Sequence, residues 1–368
     1  MSDITKVVRA LCSSRRLDGC GAALAQATDP ATMRDAFAAV LDGGATDLEI
    51  GALMAVSMSL ESPRTANAFA EIILGLNDAI RDRMTPLIVD AGSAPVVVFP
   101  NYGDEMAYPA MPLVALLLRR MGVRVLIHGA VETHGGLLNS SILREFGVLP
   151  AATRSQAASQ FAENGLALLP AALFSPGLAA MLSLRNRLGI RTPAHVLANM
   201  LMPVLDSSTR SLHVVHVSPW LTAFLAEESL VREVPALLVA AEESCLDAGE
   251  SGAYLAFHDG EVGCGWQTLF DADGIPVSAE SRDVPAIDST LDQHDPRTWV
   301  AWTRKHLDGN TGLPLRVAKL FACCLYGCGY AHDIHQAKAI VALDPGNQAA
   351  YLGLGALSSP LMVSPALT

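Results

Sequence analysis

From about residue 95 onward, short apolar strands alternate with helices, and this alternation restricts the fold more than any other feature. "PVVVF" is typical of a buried strand, and the helix "MPLVALLLRRMG" follows it and ends at Gly122. "VRVLIHG" is a second strand, and "NSSILREFG" is a second helix. Apolar, β-branched strands that alternate with helices are typical of a parallel or mixed sheet between helical layers. We therefore predict an α/β fold.

The same unit recurs farther along the chain. "LHVVHVS" predicts a strand, "PWLTAFLAEESL" a helix and "PALLVAA" a further strand. "AYLAFHDGEVGCGWQTLF" predicts a hairpin region with one polar face. From about residue 296 the pattern changes to three closing helices. The body of the protein is thus predicted to have one central sheet covered by helices.

The segment before the sheet carries helix signals and no strand signal. Asp29-Pro30 begins a helix that Gly43-Gly44 ends, Thr46 caps the next helix, and Ser62-Pro63 begins a third. We therefore divide the chain into three regions. These are a small helical domain (residues 1–85), a larger α/β domain (86–345) and a loosely ordered tail rich in Gly, Pro, Ser and Ala (346–368).

Composition restricts the class of protein and its partners. Hydrophobic residues make up 51% of the 368 residues, yet arginines and glycines interrupt every apolar run before it reaches the roughly 20 residues of a membrane span. The N-terminus has no signal-peptide pattern, and the seven cysteines show no clear metal spacing. We therefore expect a cytoplasmic protein with no membrane partner. The net charge of −12 disfavours nucleic acid as a ligand.

Three segments make a family resemblance specific. They are "VRVLIHGAVETHGGLLNSSILREFGV" (123–148), "PAALFSPGLAAMLSLRNRLGIRTPAHVLANMLMPV" (170–204) and "EESCLDAGE" (242–250). Together they resemble the anthranilate phosphoribosyltransferase-like family, also called glycosyltransferase family 3. The likeness is greatest to a divergent branch that keeps the fold and includes a nucleic-acid-binding protein. The resemblance implies a nucleoside phosphorylase/phosphoribosyltransferase-like fold and a pocket for a small ligand.

The loop after the first clear strand departs from the family pattern. The family has a glycine-rich diphosphate loop where this chain has "PNYGD", so the resemblance implies a ligand site at Asn101, Tyr102 and Gly103. Glycines let backbone N–H groups approach phosphates. Pro100 has no N–H, and Tyr102 adds bulk. These changes weaken a diphosphate site.

Three further family motifs are partly retained. His128 and Gly129 match the family's Lys-His-Gly-Asn stretch, whereas Ile127 replaces its lysine. Arg185 matches the family's acceptor-carboxylate arginine, and His195 stands where the family has an asparagine. Asp247 matches one of the two acids that hold magnesium, but Ala248 replaces the other. The resemblance therefore implies Mg²⁺ as a weakly supported cofactor.

These motifs lead to two classes of function. The first is a glycosyl- or phosphoribosyl-transferase-like protein that has degenerate diphosphate and metal motifs and binds a small phosphorylated or carboxylated metabolite. The alternative is a non-catalytic binding protein, for which nucleic acid is one candidate ligand.

We also predict a homodimer built through the helical N-terminal segment. Leu48, Leu53, Val56 and Leu60 recur at helical spacing there. The family resemblance points to the same association. Burial of this apolar face inside the monomer is the competing explanation.

Overall fold

Capped helices form the N-terminal part of the computed structural model. The structure describes residues 3–16, 26–102, 110–130, 139–206, 211–217, 236–240, 254–257, 265–268, 295–309, 311–313 and 315–343. The first helices are α1 (Asp3–Arg16), α2 (Pro30–Leu41), α3 (Asp47–Met58) and α4 (Ala66–Arg81). The helical character predicted for this segment is confirmed.

The predicted cap residues begin two of these helices. The Asp29 side chain accepts a hydrogen bond from the Thr32 amide at the start of α2. Thr46 and Glu49 form a reciprocal capping box at the start of α3, which satisfies two N–H groups that the helix itself leaves unpaired. Pro63–Thr65 form a 3₁₀ turn, so α4 begins at Ala66, three residues later than the Ser62-Pro63 signal predicts.

A seven-stranded sheet lies at the centre of the α/β region. Its strands are β2 (Val96–Asn101), β3 (Arg124–Gly129), β4 (Leu166–Pro170), β6 (Ser211–Val217), β7 (Ala236–Ala240), β8 (Tyr254–Phe257) and β9 (Gly265–Thr268). Their order across the sheet is β4-β3-β2-β6-β7-β8-β9. The first five strands are parallel, and β8 and β9 are antiparallel. The predicted mixed sheet is confirmed.

A separate two-stranded parallel sheet joins two distant parts of the chain. It pairs β1 (Leu87–Val89) with β5 (Val204–Asp206). Each strand has only three residues, which is too short for the alternation of apolar and polar residues to identify it. The sequence analysis accordingly missed both strands.

Helices connect the strands and close the fold. They are α5 (Ala110–Arg120), α6 (Asn139–Glu145), α7 (Arg154–Asn164), α8 (Ala171–Phe174), α9 (Pro176–Leu188), α10 (Pro193–Ala198), α11 (Pro296–Leu307), α12 (Leu315–Gly327) and α13 (Ile334–Ala342). The last three are the predicted closing helices. The helix predicted over "PWLTAFLAEESL" lies outside the described residues.

The sheet separates two hydrophobic cores. Val96 and Val98 of β2 face the first core, whereas Val97 and Phe99 face the second, because side chains alternate along a strand. The first core contains residues of α1–α4 and of α7–α10, and the second contains residues of α5, α6 and α11–α13. The helices between residues 154 and 198 therefore share a core with the N-terminal helices.

Most of the predicted dimer face is buried inside the monomer. Leu53 and Leu60 are almost fully buried in the first core, and Val56 also belongs to it. Leu48 is 83% exposed. Of the four residues, only Leu48 is therefore available to a second copy of the chain.

Candidate functional site

Four of the predicted ligand residues lie at one edge of the sheet: Asn101, Tyr102, His128 and Gly129. β2 and β3 are in register so that Pro100 pairs with His128 and Asn101 with Gly129. These positions are the carboxyl ends of two neighbouring parallel strands. Loops at the carboxyl ends of parallel strands are the usual ligand sites of α/β proteins.

Tyr102 and His128 form a buried hydrogen-bonded pair. The Tyr102 hydroxyl lies 2.9 Å from His128 Nδ1, and the two rings meet edge to face with centroids 5.5 Å apart. Tyr102 is 4% exposed and His128 is fully buried. The ring of Phe174 lies edge-on to His128 with a centroid distance of 5.9 Å. The sequence analysis placed both members of the pair at the site without predicting their contact.

His213 on β6 is a neighbour that the sequence analysis did not include in the site. Its ring centroid lies 6.2 Å from that of His128, and its side chain is 2% exposed. β6 pairs directly with β2, with His213 opposite Val98. Because β6 follows β2 by more than 100 residues, only the strand order reveals this proximity.

The buried environment keeps both members of the pair neutral near pH 7. Burial lowers the pKa of His128 well below its ordinary value of 6.5, and the neighbouring His213 lowers the pKa further. Burial raises the pKa of the Tyr102 hydroxyl well above its ordinary value. The pair can thus donate and accept hydrogen bonds, but it supplies no fixed positive charge to an anion.

Asn101 projects toward the other face of the sheet. By the alternation along β2, its side chain lies on the same face as Phe99, which is in the second core. Among the described residues, neither its amide oxygen nor its amide nitrogen has a hydrogen-bond partner, although the residue is 2% exposed. Ser140, near the start of α6, also has a buried hydroxyl without a partner in the described part of the chain.

Buried polar groups without partners are costly, at roughly 1–3 kcal/mol each. Among the described residues, the unpartnered amide of Asn101 lies at the carboxyl end of β2, and such a group is typical of a site that a ligand or ordered water completes. His128 Nε2 is a further such atom. The edge therefore offers unpaired donors and acceptors on both faces of the sheet.

Gly129 is explained by close packing of the backbone. A Cβ atom on Gly129 would lie 2.0 Å from the Asn101 carbonyl oxygen. No side chain fits at this distance, so β3 can approach the end of β2 only with glycine at this position. This packing accounts for Gly129 independently of any ligand contact.

Ile127 points away from the His128 side of the sheet. It is fully buried in the second core, whereas Leu126, the residue before it, is in the first. The family lysine would therefore meet apolar side chains if it were restored at this position.

Arg185 and His195 lie on helices that cover the His128 face. Arg185 is 8% exposed on α9, which contributes Leu178 and Met181 to the first core. His195 is in the first turn of α10, where its Nδ1 accepts a hydrogen bond from the Thr192 amide at 3.2 Å. This bond gives His195 a defined role in capping the helix.

Two predicted site residues, Gly103 and Asp247, lie outside the described residues. The predicted magnesium site, which depends on Asp247, lies outside them as well. Within the described ranges, no group of three or more His, Cys, Asp or Glu side chains is arranged to hold a metal ion. In the same part of the chain, no helix is both long and apolar enough to cross a bilayer.

Comparisons with known sequences identify relatives of two kinds. An uncharacterized protein of Escherichia coli, YbiB, is 26% identical over 329 residues, which cover 88% of this chain and 96% of that protein. Anthranilate phosphoribosyltransferase of Methanosphaerula palustris is 28% identical over 171 residues. That match covers 46% of this chain and 48% of the enzyme, so it spans about half of each. No protein-family model matches the chain.

Solved structures share the fold over nearly the whole chain. Anthranilate phosphoribosyltransferase of Thermus thermophilus superposes with a TM-score of 0.64 at 19% identity and covers 96% of this chain and 97% of its own. The Saccharomyces cerevisiae enzyme in complex with PRPP and Mg gives a TM-score of 0.63 at 13% identity, with 95% of each chain covered. The resemblance found in the sequence is therefore confirmed: the chain is a divergent relative of the anthranilate phosphoribosyltransferase-like proteins and has their fold.

Proposed function

We propose that the carboxyl edge of the central sheet binds a small phosphorylated or carboxylated metabolite, and that the reaction class is glycosyl or phosphoribosyl transfer. The observation that carries this proposal is the set of buried polar atoms on Asn101 and His128 that have no partner among the described residues. Relatives with this fold are named as phosphoribosyltransferases, and one was solved with PRPP and Mg. The proposal assigns a comparable ligand to this edge.

The residues on the two faces of the sheet are given different proposed roles. Asn101 and Gly103 are proposed to contact the phosphorylated donor, and Asp247 would hold Mg²⁺. Arg185 and His195 are proposed to contact the acceptor on the His128 face. Transfer through an oxocarbenium-like state requires close positioning of donor and acceptor and stabilisation of the leaving diphosphate. Ile127 lies in the second core and supplies no positive charge at this edge, so Mg²⁺, if bound, would supply the positive charge that stabilises the leaving diphosphate.

A thermal-shift titration tests the binding proposal. Phosphoribosyl diphosphate with Mg²⁺ should raise the melting temperature, because a ligand at 100 times its Kd stabilises the native state by about 2.7 kcal/mol. Asn101→Ala should abolish the shift. Asn77→Ala is the matched control. Asn77 is also a buried asparagine, and its side-chain oxygen has no partner among the described residues, but it lies on α4. No shift in the wild-type protein, or an equal shift in Asn101→Ala, would refute the proposal.

Release of diphosphate separates a transferase from a binding protein. With phosphoribosyl diphosphate, Mg²⁺ and anthranilate present, turnover above the uncatalysed rate supports transfer. Binding without turnover supports the non-catalytic alternative. Nucleic-acid binding stays a prediction, which a filter-binding titration at low and moderate salt tests through the salt dependence of phosphate contacts.

The proposal extends to assembly and cellular location. We infer a homodimer through the exposed Leu48, together with Leu188 and Ile190, which are 37% and 41% exposed. An ion pair of 2.6 Å between Arg187 and Asp47 holds the end of α9 beside the start of α3. A reducing, cytoplasmic location is supported by the buried free thiols of α12 and the residue after it, Cys323, Cys324 and Cys328.

A further inference from the structure

The side chain of Tyr102 points into the first core, although the residue belongs to the predicted ligand loop. Tyr102 follows β2 directly. Within the described part of the chain, its hydroxyl has one hydrogen-bond partner, His128 Nδ1 at 2.9 Å. The structure therefore uses this side chain to contact the next strand.

The direction of this hydrogen bond follows from the number of protons available. A phenol has one proton to donate, and burial raises the pKa of the Tyr102 hydroxyl, so the proton is retained. The only partner for that proton among the described residues is His128 Nδ1. Nδ1 must then accept. A neutral imidazole that accepts at Nδ1 carries its proton on Nε2.

His128 Nε2–H is consequently a buried donor without an acceptor among the described residues. The apolar edge of Phe174 and the ring of His213 lie nearby, at centroid distances of 5.9 and 6.2 Å. An unsatisfied buried donor is costly to maintain, at roughly 1–3 kcal/mol. Retaining such a donor at a ligand edge is explained if a ligand atom accepts its hydrogen bond.

We propose that Tyr102 is a positioning residue that fixes His128 in the Nε2–H tautomer, so that His128 donates to a hydrogen-bond acceptor of the ligand. The hydrogen bond from His128 to a ligand rests on the proposed function above, whereas the tautomer does not. The group that meets His128 is then a carbonyl, carboxylate or ring-nitrogen acceptor. An amino or hydroxyl group that has to donate does not fit, because the imidazole presents no lone pair there.

Nuclear magnetic resonance of the full chain tests the tautomer without any ligand. Protein labelled with ¹⁵N-histidine gives long-range ¹H–¹⁵N correlations that distinguish protonated from unprotonated ring nitrogens. The signals of His128 are assigned by their loss in His128→Gln. We expect a neutral ring with protonated Nε2 and unprotonated Nδ1 at neutral pH. Protonation at Nδ1, or an imidazolium, would overturn the proposal.

Two perturbations of Tyr102 test the cause of the tautomer. Tyr102→Phe removes the donor, so the Nδ1 signal should move and the Nδ1–H tautomer should gain population. Tyr330→Phe, at a partly buried tyrosine on another part of the fold, should leave His128 unchanged. Unchanged His128 signals in Tyr102→Phe would overturn the positioning role.

A second labelling keeps the test decisive if Tyr102→Phe fails to fold. Incorporation of 3-fluorotyrosine at the six tyrosines makes each hydroxyl a stronger donor with little change in shape. The His128 Nδ1 signal should then move toward a stronger hydrogen bond, and an unmoved signal would contradict the proposal. Phosphoribosyl diphosphate, Mg²⁺ and anthranilate added together should raise the melting temperature and should also move the Nε2–H proton. A thermal shift with no movement of that proton would refute the donor role alone, whereas absence of any thermal shift refutes the proposed function.

Discussion

Gly129 and Asn101 lie so close at the ends of β3 and β2 that a Cβ atom on Gly129 would be 2.0 Å from the Asn101 carbonyl oxygen. The same carbonyl accepts a hydrogen bond from the Ala130 amide at 3.0 Å. The backbone of one strand end is therefore packed directly against that of its neighbour. This contact fixes the relative positions of Asn101 and His128, two of the buried polar residues of the candidate site.

Substitution of Gly129 by alanine should destabilise the protein by about 2–3 kcal/mol, since a backbone segment rather than a flexible side chain has to move. Gly51→Ala is the matched control. Its Cβ would meet only Leu188 Cδ2 at 3.8 Å, and alanine favours the helix by up to about 1 kcal/mol over glycine. Urea unfolding measures both free energies. Equal stability of Gly129→Ala and wild type would contradict the close packing.

His128 should make stability depend on pH below neutrality. Its pKa in the folded protein is lowered from 6.5, so the unfolded chain binds the proton more readily. Stability should then fall as the pH decreases below about 6.5, by at most about 1.4 kcal/mol per pH unit, until the folded pKa is reached. His128→Gln should show a smaller loss of unfolding free energy between about pH 7.5 and pH 5.5 than wild type. An identical loss in both proteins would disprove the effect. The pKa of His306 is also lowered, but His306 is present in both proteins, so its contribution cancels in the comparison.

Restoring the family lysine should damage this fold. Ile127→Lys places an ammonium group at a fully buried position of the second core, where an unpaired charge costs several kcal/mol. Ile127→Val, which removes one methylene group, should cost only about 0.5–1.5 kcal/mol. Chemical unfolding of the two variants checks this difference. A stable Ile127→Lys protein with increased affinity for phosphoribosyl diphosphate would show that the lysine side chain reaches the ligand edge after all.

Association of the chain into a dimer should depend on Leu48, the exposed leucine of α3. Leu48→Glu introduces a charge at a position that is 83% exposed in the monomer, so it should leave the fold intact and separate the proposed dimer. Leu343→Glu is the control, because Leu343 is a 60% exposed leucine at the end of α13. Light scattering should give a dimer mass for wild type and the control. A monomer mass for wild type at high concentration would rule out the dimer.

The sequence by itself determined the class of fold and several of the helix boundaries. The side chains of Asp29 and Thr46 each accept a hydrogen bond from the amide three residues later, so the start of each helix can be predicted from a short stretch of sequence. Apolar runs such as residues 96–99 have no polar face, so they indicate a sheet that is covered by helices on both faces. The polar residues that follow these runs were therefore expected at a carboxyl edge, and Asn101 and His128 lie there.

Other features depend on contacts between residues far apart in the chain. The strand order places β6 beside β2, which brings His213 to His128 although 85 residues separate them. The pairing of Ile88 with Leu205 in the small sheet is equally remote in sequence. Short elements of this kind gain their stability from partners rather than from their own propensity.

The tertiary structure also determined what packs against each face of the sheet, and so what surrounds each site residue. Strand alternation gives Ile127 and His128 opposite faces, but the sequence does not state which face holds which helices. Packing assigned the His128 face to the N-terminal helices and α7–α10, and the Ile127 face to α5, α6 and α11–α13. Local patterns thus predicted which residues are buried or lie at strand ends. Only the folded arrangement determined their neighbours, because the burial of a strand follows from the pattern of polarity along it, whereas a contact depends on the path of the whole chain.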